Sequence, residues 1–356
     1  MLPKVRIASS PLSFRCIGVP LLALFVCFPS LAPTQTPSRP LNVYFIDVEG
    51  GQATLFVTPG GQSLLIDTGW DGHDRRDANR IAAAAHSAAL TRIDYLLITH
   101  YHADHVGGVA QLLTKIPVGT FIDHGPNREM IPGNIADYAS YEKIVAADGH
   151  KHIVAFPEQV LPLRGLEVRV VSSDGNVLPK SLATANTPNP VCTTTAPHPD
   201  DTTENARSLG VKITFGNLTI LDLGDLTMDK ERQLVCPIDK LGKTDILIVS
   251  HHGWDHSSSP ELIQAIHPRV AIMDNGADKG GSPLTFRTLA ASPGLEQLWQ
   301  LHFSNESKDL NQPDDFIANP SGPDAGYGLK LTANRDGSFA ILNARTNQTK
   351  TYAPQH

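Results

Sequence analysis

The segment Thr99-His100-Tyr101-His102-Ala103-Asp104-His105-Val106-Gly107-Gly108 constrains this chain more than any other. Three histidines and one aspartate fall within six residues, directly after the apolar run Tyr95-Leu96-Leu97-Ile98. A short apolar run of that kind reads as a buried strand. The metal-binding side chains therefore stand where a strand stops and a loop begins. His100 and His102 are two apart, so extended backbone turns both to one side, where they can share one ion. Asp104 and His105 are adjacent and need a turn to converge on a second ion. Gly107-Gly108 permits tight packing as the chain leaves the site, into a helix over 109–113. Imidazole suits zinc and iron, and a carboxylate widens the choice to manganese. A surface cluster of histidines is the bland alternative, and the strand end before the motif and the Gly-Gly after it argue against it.

H-x-H-x-D-H behind an apolar strand resembles the metallo-β-lactamase superfamily. The resemblance implies an α+β fold, a four-layer αββα sandwich with metal ions at the sheet edges. It implies two divalent ions, zinc first, with manganese or iron as alternatives. One ion is expected between His100, His102 and His124, the last standing just past a short strand over 120–122. The alternative for His124 is a histidine in a Gly-Pro turn. Asp104, His105 and His251 are expected around the other ion, with Asp225 between the two. Asp67, at the end of a strand over 63–66, is implied to orient a ligand histidine by accepting its N–H. An Asx turn closing the hairpin is the other reading, and one aspartate can do both.

The second half repeats the order of the first. Residues 209–215 and 218–221 form a hairpin through Gly216-Asn217. Leu221-Asp222-Leu223-Gly224 parallels Leu65-Ile66-Asp67-Thr68-Gly69, and Asp245 through His251 parallels Asp94 through His100. This fits a sandwich of two similar halves with the site at their seam. On that parallel His251 is the counterpart of His100 and is preferred over its neighbour His252. Asp225 has a second reading as the N-cap of a helix over 226–235. His251-His252-Gly253 followed by Ser257-Ser258-Ser259-Pro260, with Asn205 and Ser208, narrows the resemblance. It is similar to the hydrolase domain of bacterial DNA-uptake (competence) channel proteins and to secreted phosphorylcholine esterases. His252, Ser257 and Ser258 are then expected beside substrate or leaving group.

The first 32 residues read as a secretory signal peptide: Lys4, Arg6 and Arg15, then an apolar stretch, then Ser30-Leu31-Ala32. The expected organisation is this leader, a linker over 33–40, and a hydrolase domain over 41–353, secreted or periplasmic. No other stretch is long and apolar enough to span a membrane. Losing the leader moves the formal charge from −7 to about −10. That acidity weighs against a duplex-binding surface, which is usually basic. Outside the leader stand Cys192 and Cys236, either one disulfide of an oxidising compartment or two thiols. Residues 174–203 are rich in Pro, Thr, Asn and Ser and read as a long surface insertion. His86, His150, His152 and His198 read as surface or packing residues.

These features point to a metal-dependent hydrolase acting on a small-molecule or exposed ester, a phosphoester or phosphodiester before a lactone, carboxylic ester or β-lactam. Asp104 would take a proton from the attacking water, and Asp225 would stand between the ions. A non-catalytic metal-binding scaffold on the same fold is the reading from another class. A serine hydrolase lacks its G-x-S-x-G elbow here. Di-iron redox relatives carry an acidic residue where this chain has His102.

Overall fold

The computed structural model describes residues 39–147, 149–183, 185–320 and 326–355, with isolated positions among the first thirteen. The leader and most of the linker lie outside the described residues. A compact unit spans Ser38–His356.

Two large sheets face each other. Across the first, nine strands run in the order Gln348–Tyr352, Phe339–Asn343, Leu329–Ala333, Leu41–Phe45, Thr54–Val57, Ser63–Ile66, Ile93–Leu97, Val118–Asp123 and Lys151–Val154. The last four are mutually parallel and the rest antiparallel. The second sheet has eight strands, in the order Ile317–Asn319, Gln297–His302, Val270–Met273, Ile246–Ile248, Leu218–Asp222, Gly210–Phe215, Glu167–Ser173 and Asn176–Val177. Its first five are parallel.

Strand periodicity sorts the core into three layers of contact. Leu64, Ile66, Leu97 and Ile122 point between the sheets, where they meet Ile220, Ile246, Ile248, Ile272 and the buried Trp299. Their neighbours Leu65, Leu96 and Phe121 point outward and are covered by Ala78, Ile81 and Ala85, and by Val109, Leu112 and Tyr141. Ala78, Ile81, Ala82 and Ala85 make the helical stripe of Arg76–Ser87. On the far face of the second sheet, Leu247, Ala271 and Met273 are covered by Leu234, Leu262, Ile263, Phe286 and Leu289 from helices Met228–Val235, Pro260–Ile266 and Pro283–Ala290. The result is the expected αββα sandwich of the α+β class.

The two halves repeat at atomic detail. Asp94 Oδ2 accepts the Ser63 amide at 3.0 Å, and the Asp94 amide donates to Ser63 Oγ at 2.9 Å. Asp245 and Thr219 do the same at 2.8 and 3.1 Å. Each clasp pins the start of one parallel strand to its neighbour. The registers Leu64↔Tyr95 and Ile220↔Ile246 make Tyr95 the equivalent of Ile246, and hence His100 that of His251. They also shift the compared aspartates: Asp222 corresponds to Ile66, one residue ahead of Asp67.

Some strands have no clear sequence signal. Gln348–Tyr352 is a polar edge strand, and Lys151–Val154 closes the opposite edge, its strand starting before His152, which reads as the end of a polar loop. His152 on that strand is exposed, as expected, and its Nε2 also meets Asp123 Oδ2 at 2.7 Å. His150 stacks on Phe121 at 5.0 Å. The 174–203 segment is tied down: Thr187–Pro188 pairs with Ile238–Asp239, and Cys192 is disulfide-bonded to Cys236. Arg232 holds the Cys192 carbonyl and the Glu261 carboxylate, which also receives Thr195 and faces His198. Among the described residues no helix is long and apolar enough to cross a membrane.

Candidate metal centre

The site lies at the C-terminal ends of the central parallel strands, where both sheets feed their loops to one place. After Ile93–Leu97 the chain reaches His102 in extended geometry (φ −74°, ψ 150°), then turns into the single helical turn Ala103–Val106. That turn brings Asp104 and His105 together. Its exit is close to backbone: a Cβ on Gly108 would fall 2.1 Å from the Thr68 carbonyl oxygen. After Ile246–Ile248 the chain takes left-handed geometry at both His251 (φ 56°) and His252 (φ 54°).

Asp104, His105, Asp225 and His252 are buried, and one ligand atom from each lies within 4.8 Å of all the others. His105 Nε2 is 3.3 Å from Asp104 Oδ2, 3.2 Å from Asp225 Oδ1 and 3.2 Å from His252 Nε2. His252 Nε2 is 3.1 Å from Asp104 Oδ2 and 3.5 Å from Asp225 Oδ1. The other oxygen of Asp225 faces a second group. Its Oδ2 is 3.4 Å from His251 Nε2 and 3.8 Å from His100 Nε2, and His100 Nε2 is 3.0 Å from His102 Nδ1. Asp225 therefore stands between two sets of donors, one on each oxygen.

The rings are aimed by carboxylates behind them. Asp67 Oδ2 is 2.7 Å from His105 Nδ1, and Asp67 also accepts the Thr99 amide and hydroxyl. Glu129 Oε2 is 2.9 Å from His102 Nε2, which leaves Nδ1 to face His100. A proton on the outer nitrogen leaves a lone pair on the inner one.

The charges fit a bound cation. Burial pushes the Asp225 carboxyl up, but His105, His251 and His252 more than offset it and hold it well below the usual range. Burial pushes Asp104 up as well, and Lys279 and His105 bring it well below. His105 is lowered by burial, yet Asp225, Asp104 and Asp67 raise it well above an ordinary imidazole. Burial lowers His100, and brings His251 down to about 4, so these two rings are neutral and ready to ligate. Two imidazole nitrogens and two ionised carboxylates pointing at one spot match the chemistry of a divalent ion with N and O ligands, whose charge would take the place of the protons that these carboxylates now favour on His105 and His252. The Asp104–His105–Asp225–His252 group fits such an ion tightly. The His100–His102–His251 group shares the Asp225 carboxylate and is more open.

His124 takes another place. Its Nε2 is 3.0 Å from Glu204 Oε2, its ring packs on Tyr101 at 4.6 Å, and it is not in the group of mutually close ligand atoms. His252 takes the place in that group expected for His251, and His251 faces the other oxygen of Asp225. Ser257 donates to the Leu226 carbonyl and lies 3.4 Å from His251 Nδ1, so it touches a ring of the site. Ser258 is buried, with its amide on Glu231 Oε1. Ser208 Oγ receives the Asp225 amide at 3.2 Å, and Asn205 Nδ2 is 3.5 Å from His251 Nε2. Sequence reasoning missed Glu129 and Lys279. Glu129 lies in a loop without pattern. Lys279 follows Val270–Met273 on a glycine-rich turn, with its ammonium on Asp104 Oδ2 and on the Gly50 carbonyl, 5.1 Å from the Trp70 ring. Trp70 and Lys279 line a cleft of about 390 Å³ with Glu49, Phe303, Asn305 and Asn319.

Residues 46–198 match the metallo-beta-lactamase superfamily. Recombination protein 2 of Haemophilus influenzae is 25% identical over 256 residues, 71% of this chain and 26% of that protein. Competence protein ComA of Neisseria gonorrhoeae is 26% identical over 267 residues, 74% of this chain and 31% of that protein. The chain thus spans between a quarter and a third of the length of these two relatives. Among solved structures, the metallo-beta-lactamase fold protein YhfI from Bacillus subtilis is 15% identical, with TM-score 0.46, covering 73% of this chain and 95% of that one.

Proposed function

From a chain that carries a metallo-β-lactamase superfamily domain on an αββα sandwich, we propose a metal-dependent hydrolase of ester-type bonds, with a phosphodiester or phosphomonoester as substrate. The observation that carries the reading is Asp225, whose two oxygens face two separate sets of histidines while Asp104 and His105 close one of them. Such a site is built for two divalent ions, zinc first and manganese or iron next. When bound, such ions supply Lewis-acid polarisation of a phosphoryl or carbonyl oxygen and make water acidic enough to lose a proton near neutral pH.

The chain's own residues do the rest. Asp225 holds both donor sets in one register. Asp104 is ionised at neutral pH, and in this reading its carboxylate would take the proton of the attacking water. Asp67 and Glu129 keep His105 and His102 in the tautomers that turn lone pairs inward. Trp254, 41% exposed, lies 5.3 Å from the His251 ring and offers an aromatic face beside it. The cleft beyond Lys279 offers the leaving group aromatic faces and amides. The reading also places the protein outside the cytoplasm, on the strength of the apolar leader over 1–32, and the Cys192–Cys236 disulfide supports an oxidising compartment.

The test is metal content measured together with hydrolysis of bis(p-nitrophenyl) phosphate, with Asp225→Ala as control. Two ions per chain and turnover lost in the variant are expected. Two ions without turnover would move the substrate to carboxylic esters, lactones and β-lactams. No bound zinc, manganese or iron would overturn the reading in favour of a non-catalytic scaffold.

A further inference from the structure

We propose that Asp274 is the positioning residue of His252, fixing the tautomer and aim of the ring whose Nε2 enters the Asp104–His105–Asp225 group. The inference rests on reading that group as metal ligands. Asp274 directly follows strand Val270–Met273 and is buried. Neither of its oxygens has a hydrogen-bond partner among the described residues. A carboxylate buried without partners is costly unless a charge or donor compensates it. What it faces is His252 Nδ1, 3.5 Å from Asp274 Oδ1, and that nitrogen too is buried without a hydrogen-bond partner among the described residues. The gap exceeds a normal N–H···O bond by about half an ångström, within reach of a small rotation of either side chain. With its proton on Nδ1, His252 presents a lone pair at Nε2, toward Asp104 Oδ2 and Asp225 Oδ1.

Two independent relationships support the pairing. First, it completes a set. The outer nitrogen of His102 meets Glu129, that of His105 meets Asp67, and that of His252 meets Asp274. Carboxylates behind ligand imidazoles orient the ring and strengthen it as a donor. Second, the repeat of the two halves puts the contact where a contact already exists. The registers Tyr95↔Thr120 and Ile246↔Val270 make Asp274 the equivalent of His124, as His252 is of Tyr101. Tyr101 and His124 pack ring to ring at 4.6 Å. In both halves, then, the residue after the strand-end histidine meets the residue just past the next strand. The first half uses the meeting for packing, with Glu204 behind His124. The second half fills it with an imidazole and a carboxylate.

The experiment measures zinc affinity of the full chain by competition with a chromogenic chelator, for the parent, Asp274→Asn and Asp274→Ala. Thermal melting is recorded in chelator and in excess zinc. Asn keeps the shape and an acceptor oxygen but loses the charge, whereas Ala loses both. One of the two ions is expected to bind about ten-fold more weakly in the Asn variant and about a hundred-fold in the Ala variant. Melting of the Asn variant in chelator should not fall, because Asn keeps an acceptor oxygen for His252 Nδ1 while removing a buried charge. Unchanged zinc affinity in both variants, with the parent binding normally, would overturn the role of Asp274 alone. A loss of melting temperature as large in chelator as in zinc for the Asn variant would overturn it in favour of a structural role. A parent that binds no zinc would instead overturn the reading of the site, and this inference with it.

Discussion

Asp67 and His105 meet through Oδ2 and Nδ1 at 2.7 Å, with both side chains sealed from solvent. The same carboxylate holds the Thr99 amide and hydroxyl, so one aspartate ties the end of Ser63–Ile66 to the loop that carries the site. Asp67→Ala leaves a buried imidazole and a buried amide without their acceptor. Loss of a buried, hydrogen-bonded charge partner costs about 3–5 kcal/mol. Denaturant unfolding in chelator should show that loss. Asp67→Asn, which keeps an acceptor, should lose less stability yet bind zinc about ten-fold more weakly.

Lys279 competes with any cation for Asp104 Oδ2. The lysine is partly exposed, and such pairs are worth about 1 kcal/mol or less. Lys279→Gln should therefore bind zinc up to about five-fold more tightly, read by the same chelator competition. Weaker binding in the variant would show that the ammonium supports the site instead of opposing the ion.

Glu231 gives a pH signature away from the donor atoms. Burial pushes its carboxyl up to about 7 from 4.5, against the Ser258 and Ser259 amides that favour its ionised form. Between those two values the folded chain binds a proton that the unfolded chain has released. Its contribution to stability is thus present below the lower value and is lost as pH rises through the upper one, by roughly 3 kcal/mol in all. Glu231→Gln should flatten that part of the profile. Parallel parent and variant curves between pH 4.5 and 7 would count against it.

The Cys192–Cys236 bridge closes a 44-residue separation. Constraining the unfolded chain by a loop of that size is worth about 4 kcal/mol in the loop-entropy account. Reduction, or Cys192→Ser, should lower stability by up to that amount. Because Arg232 binds the Cys192 carbonyl and Glu261, protease sensitivity should appear first within 174–203.

Much of the fold is legible because its strands are apolar and end in distinctive residues. The H-x-H-x-D-H segment and the Asp94/Asp245 repeat mark both strand ends by residue order alone. What the sequence leaves open has physical causes. The parallel between the halves prefers His251 over His252, but both residues are left-handed, so His252 meets Asp104 while His251 faces the other oxygen of Asp225. His124 has the position of a ligand, but its partner Glu204 stands eighty residues away, after an insertion with no periodicity. Gln348–Tyr352 has too few apolar residues to announce itself, since an edge strand buries little. Asp274 carries no motif at all, and only burial exposes it as a carboxylate in need of a partner.

The donors of the centre come from two sheets, and Asp104 and His252 are 148 residues apart in the chain. They behave as two arms of a chelating agent whose linker is the protein itself. The packing between the sheets sets the effective concentration of one arm at the other. A substitution deep in that interface, far from every ligand, would then register as weaker ion binding, and a bound ion would in turn clamp the interface. Affinity for the ion and cohesion of the two sheets are one free energy observed from two ends.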